Sequence, residues 1–191
     1  MRTQLKNFMA AMSENSIAII PAAHEATRSY DTEYRFRQDS DFWYLTGFPE
    51  PDAIAVIDPS SKTPYTLYVR PRNLEMETWF GRRQGVAGAV KNYKADRAFP
   101  IEKFAADLGK LLDGHDVLYY RFAQDSALDQ QILGYFKEQR VRRLKTAYPP
   151  HTIVDPTPII GDMRLHKTQD EVRMMQRAAD IAAEEIGRAH V

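Results

Sequence analysis

Short apolar runs of two different periods set the limits on what this chain can fold into. Residues 16–20, 53–57, 65–69 and 117–120 are compact β-prone stretches, the pattern of strands buried on a sheet. Elsewhere the spacing changes. Leu5, Phe8, Met9 and Met12 fall at i, i+3, i+4 and i+7, so residues 2–13 are predicted to form a helix with one buried face. Pro100 opens a second helical stretch that carries Ile101, Phe104, Leu108, Leu111 and Leu112 and is stopped by Gly114. A further helix is predicted over residues 126–139. The runs at 53–57 and 65–69 are separated by Asp58, Pro59, Ser60 and Ser61, turn formers that predict a hairpin with a longer loop. Strands that are first neighbours and then alternate with helices point to an α/β domain, a mixed β-sheet flanked by helices.

The second half of the pattern is a connector and a helix. Pro149, Pro150, Pro156 and Pro158 disfavour helix over residues 148–158 and predict an extended linker. Thr168, Gln169, Asp170 and Glu171 then form a capping box, in which hydroxyl and carboxylate satisfy the free amides of a helix start. Val172, Met175, Ala179, Ala182 and Ile186 continue it at heptad-like spacing. No capping signal precedes Val191, which is read as a missing continuation. With 191 residues there is room for one sizeable core and the beginning of a second.

Composition removes several function classes. Lys plus Arg and Asp plus Glu each number 26, so no general attraction to nucleic acid or an anionic membrane is expected. Cysteine is absent, which excludes disulfides and thiolate metal sites and gives no reason to expect an oxidising compartment. Residues 1–13 lack the apolar core of a secretory signal, and no run approaches the roughly 18 apolar residues of a membrane span. A cytoplasmic location is therefore expected.

The chemistry-bearing residues are sparse. His24, His115, His151, His166 and His190 are scattered, and none pairs with His or Glu at i, i+4, so no metal site is expected within the chain. There is no nucleophile elbow, phosphate loop or dinucleotide fingerprint. Gly81, Gly85 and Gly88 lie among basic residues and are read as loop flexibility. The basic run 140–145 is read as complementing a helix dipole. Two stretches hold more than a plain element needs. Residues 27–48, TRSYDTEYRFRQDSDFWYLTGF, interleave opposite charges with aromatics, suiting a polar network that fixes a surface for a partner; their plainest alternative is an edge strand over 42–46 ending at Gly47. Residues 77–85, ETWFGRRQG, put Trp79 and Phe80 beside Arg82 and Arg83 in an expected loop. Such a tryptophan either packs into its own core or is offered to a partner.

These residues carry a resemblance. RQDSDFWYLTGF, with TRSYDTEY before it, WFGRR after it and MRLHKTQDEV at 163–172, resembles the N-terminal domain of the bacterial-type Xaa-Pro aminopeptidases, or aminopeptidase P, within the creatinase and prolidase family. The resemblance spans essentially the whole chain. It implies an N-terminal α/β domain over residues 1–163, then a linker and the first helix of a pita-bread catalytic domain over 164–191, cut off early. It implies no metal or catalytic residue here: in the family two divalent ions, commonly manganese, are held by the catalytic domain. The full protein is then expected to remove the N-terminal residue from peptides with proline second, as a homo-oligomer, with this piece inactive alone. Asp31 and Trp79 match positions that shape the substrate entrance, Trp79 being offered to a neighbouring subunit of a tetramer, and Arg143 stands nearest to an arginine of the same polar network. A prolidase or creatinase relative, a catalytically dead peptide-binding protein and a free-standing nucleic-acid module remain the alternatives.

Overall fold

The computed structural model describes residues 2–141 and 148–189. In chain order its elements are α1 (Thr3–Ala11), β1 (Ser16–Pro21), β2 (Thr27–Ser29), β3 (Thr32–Glu33), α2 (Ser40–Thr46), β4 (Ile54–Ile57), β5 (Tyr65–Val69), α3 (Leu74–Phe80), α4 (Gly85–Tyr93) and β6 (Arg97–Pro100). A 3₁₀ turn, Ile101–Lys103, leads into α5 (Phe104–Leu112), followed by β7 (Val117–Tyr119), α6 (Ser126–Gln139), β8 (Thr152–Val154), α7 (Thr157–Leu165) and α8 (Gln169–Ala189). The chain forms two compact units, Met1–Thr157 and Pro158–Val191.

The first unit is the expected mixed sheet flanked by helices. Six strands lie in the order β6-β5-β4-β1-β7-β8. β4 runs antiparallel to both neighbours, pairing Ile57 with Ala18 on one side and with Tyr65 on the other. The remaining neighbours are parallel, so five strands point one way and their carboxyl ends share an edge. Every residue of β1, β4 and β5 is buried, as strands covered by helices on both faces must be. On one face Ile17, Ile19, Ile54, Val56 and Tyr68 pack with Phe104, Leu108 and Leu112 of α5 and Leu128, Ile132 and Tyr135 of α6. On the other, α1 and α2 bury Leu5, Phe8, Phe42 and Leu45, and the Phe8 ring meets Tyr119 edge-on at 6.3 Å.

Four local expectations are corrected. Residues 42–46 are not an edge strand but lie in α2. Asp39 caps it by accepting the amides of Asp41 and Phe42, Gly47 closes it at φ 66°, and burial of Phe42 and Leu45 follows a helical step. Trp79 and Phe80 lie not in a loop but on α3, capped by Asn73 through the amides of Glu75 and Met76. Gly85 and Gly88 belong to α4. The proline-rich linker is extended only in part: β8 joins the sheet beside β7, and α7 begins at Thr157 with Pro158 in its first turn, where a missing amide costs nothing.

In the second unit the capping box forms as the sequence predicts. The Thr168 amide donates to Glu171 Oε2 at 2.7 Å and the Glu171 amide to Thr168 Oγ1 at 3.3 Å. No helix among the described residues is long and apolar enough to cross a membrane.

Candidate functional site

The parallel strands deliver charged side chains to one edge of the sheet. His24 and Glu25 follow β1, Arg70 follows β5, Asp125 follows β7, and Asp52 precedes the antiparallel β4. Ligand sites of open α/β sheets lie outside this carboxyl edge. Here the five residues form a continuous chain: Asp125 Oδ2 lies 2.9 Å from His24 Nε2, His24 Nδ1 lies 2.6 Å from Asp52 Oδ1, and Arg70 Nη1 lies 3.4 Å from Asp52 Oδ2 and 3.0 Å from Glu25 Oε2. The hydrogen bond that His24 donates to Asp52 raises its pKa above the ordinary imidazole value against the opposing effect of burial, and Asp125 adds to the rise. Burial works to raise the Asp125 carboxyl, but the Leu128 amide and His24 outweigh it and hold the pKa below the usual range. The Asp125 carboxylate is also the N-cap of α6, accepting from the amides of Ala127 and Leu128.

Two hollows open beside this chain. One, of about 240 Å³, has an apolar floor of Ile54, Ile101, Phe104 and Leu128 with His24, Asp52 and Asp125 at its rim. The other, of about 440 Å³, is walled by Glu33 of the β2–β3 hairpin, by Met76 and Phe80 of α3, and by Glu25, Glu50 and Arg70. Glu50 Oε1 accepts the Gln84 amide at 2.5 Å, while Glu50 Oε2 and Arg70 Nε are buried with no hydrogen-bond partner among the described residues.

The hairpin and α3 carry the two site residues expected from the resemblance that can be located. Asp31 lies in the β2–β3 turn beside Tyr30, whose φ is 48°. It is exposed and makes no ion pair among the described residues. Trp79 is 80% exposed on α3, a helix with no buried residue. The elements that bear Asp31 and Trp79 thus flank one cleft, although neither side chain lines it. Arg143 lies outside the described residues, as do Arg142 and Lys145 of the basic run. Tyr30 is 99%, Leu74 75% and Phe80 62% exposed, so these two elements present a concentration of uncovered apolar surface, the mark of an interaction site.

The sequence reading missed His24, Asp52, Arg70 and Asp125 as a group because up to 101 residues separate them. One signal was present: each flanks a β-prone run on the side that becomes the carboxyl edge. Among the described residues no three His, Asp or Glu side chains are placed to hold a metal ion.

Residues 1–119 match the family model described as Aminopeptidase P, N-terminal domain. The chain is 38% identical over 174 residues to the Xaa-Pro aminopeptidase of Escherichia coli (strain K12), an alignment covering 90% of this chain and 40% of that one. It is 31% identical over 165 residues to Xaa-Pro aminopeptidase 3 of Mus musculus, covering 82% and 31%. Among solved structures, aminopeptidase PepP of Pseudomonas aeruginosa superposes with a TM-score of 0.92 at 40% identity, over 97% of this chain and 42% of that one. Zn-substituted E. coli aminopeptidase P in complex with product gives 0.88 at 36% identity, over 95% and 42%. The chain therefore spans well under half the length of the relatives it matches.

Proposed function

The chain belongs to the aminopeptidase P N-terminal domain family, and from that premise we propose that it is the non-catalytic, assembly and substrate-recognition part of a Xaa-Pro aminopeptidase. In this reading residues 1–163 are the N-terminal domain, and 164–191 are the linker and first helix of a catalytic domain. The whole protein works in the cytoplasm on peptides with proline second. Two divalent ions, commonly manganese in the family, would be held by residues of the catalytic domain and would supply an activated water for attack on the bond before proline. No step of that attack is assigned to a residue of this chain.

What this chain contributes is surface. The single observation that carries the reading is the uncovered aromatic face of the hairpin and α3, with Trp79 80% exposed. An indole held on a capped helix and left in water loses nothing in its own domain by being covered, so contact with a neighbouring subunit or a bound peptide is where its area contributes. Asp31 on the adjoining hairpin offers a carboxylate for an arginine, with Arg143 the proposed partner in the assembled enzyme.

The reading is tested in the full-length oligomer by replacing Trp79 with Ala. The expected result is a loss of kcat/KM that is greater for longer peptides than for dipeptides, because only longer chains reach a wall supplied by a neighbour. Equal losses for both lengths, or none, would count against it.

A further inference from the structure

The charged chain at the sheet edge also joins the roots of the two exposed elements. His24 and Glu25 lie in the segment leading into β2, and Arg70 lies just ahead of α3. Ala22 and Ala23 are anchored by the carbonyl of Ala53 at 2.7 Å and by Gln38 Oε1 at 2.8 Å. From residue 24 to the end of the hairpin, the side-chain bonds to the rest of the domain among the described residues are those of His24 and Glu25.

The geometry fixes the protonation state that closes this link. A neutral imidazole has one N–H and one lone pair, whereas ionised carboxylates only accept. Both ring nitrogens of His24 face carboxylate oxygens, at 2.6 and 2.9 Å, so both bonds form together only with the imidazolium. The charged groups about the ring are Asp52 on the loop entering β4, Asp125 at the start of α6 and Glu102 on the wall of the adjoining hollow. Arg70 forms an ion pair with the other oxygen of Asp52 and donates a hydrogen bond to Glu25. The ring is thus a cation held between two carboxylates.

We propose that His24, as an imidazolium held between Asp52 and Asp125, is a positioning residue: a proton-dependent pin that fixes the base of the β2–β3 hairpin to the sheet and to α6, and so sets where Asp31 stands. This rests on the geometry of the chain itself and not on the peptidase reading. Loss of the proton leaves one carboxylate facing a lone pair, and the hollow of about 240 Å³ that His24 lines gives the freed ring space to turn. The direction in pH follows from the raised folded value. The pin's contribution is complete below the unfolded imidazole pKa, about 6.5, and is lost as pH rises through the higher folded one.

Nuclear magnetic resonance of the 191-residue chain tests it. The His24 ring is expected to titrate above about 6.5, and amides of residues 28–33 to gain mobility over the same pH interval while those of β1 and β4 do not. Asp125→Asn, which keeps a capping oxygen for α6 but removes the charge, is expected to lower the ring's midpoint by about one pH unit and to carry the hairpin transition with it. In His24→Gln the hairpin's mobility should no longer depend on pH. A ring that titrates at or below the ordinary value, a midpoint unmoved in Asp125→Asn, or hairpin amides that stay unchanged through the ring's own midpoint would each overturn the proposal.

Discussion

At the scale of the residue, exposure separates side chains that support the fold from those available to a partner. Phe42, Leu45 and Phe48 are fully buried, whereas Tyr30 of the same aromatic-rich stretch and Trp79 of the second are 99% and 80% exposed. The sequence left open whether Trp79 packs into its own core or faces a partner, since an isolated aromatic between charges fits both; its exposure on α3 removes the first of these. Trp79→Ala and Asp31→Ala are accordingly expected to leave the stability of this chain within about 0.5 kcal/mol of the parent, the usual effect of a surface change. Chemical denaturation of the two variants checks this. Unfolding of the Trp79→Ala chain would instead mean that the indole supports its own domain.

At the scale of the element, the four buried strands β1, β4, β5 and β7 and the longer helices were legible because their apolar period is unambiguous, whereas β2, β3, β6 and β8 were not. β1, β4, β5, β7 and α6 lie within a residue of their expected bounds, and α5 begins after a 3₁₀ turn that Pro100 leads into. Two of the helices missed, α2 and α3, are short and are set by caps rather than by period. In α2 the sequence Asp39-Ser40-Asp41 carries a capping signal that outweighs the β-propensity of Phe42, Trp43 and Tyr44. In α3 Asn73 does the same for a segment with no buried face at all. Asp39→Ala should therefore cost about 1 kcal/mol, read as a fall in the denaturation midpoint. No change would mean that the packing of Phe42 and Leu45 holds α2 without its cap. β8 was hidden by the prolines on both sides of Thr152–Val154, whose influence stops short of the strand itself.

At the scale of the whole molecule, the mixed sheet was legible as a class, but its strand order was not. Pairing β1 between β4 and β7 depends on contacts far apart in sequence, such as Ser16 with Val117, which local pattern does not encode. The charged edge was invisible for the same reason. In the second unit, α8 leaves Val172 46%, Met175 58% and Ile186 65% exposed along its heptad stripe. Covering each large side chain gains roughly 1.5–3 kcal/mol, so the 191-residue chain is expected to self-associate with rising concentration, and a version ending near residue 164 to stay monomeric. Sedimentation equilibrium distinguishes them; identical monomeric behaviour of both would rule out the stripe as a contact. The central claim, that this chain supplies surface and not bond cleavage, is tested most directly by assaying the pure 191-residue chain for release of the N-terminal residue from Xaa-Pro peptides with manganese added. No turnover above the uncatalysed rate is predicted, and proline-directed release that a chelator abolishes would contradict the claim.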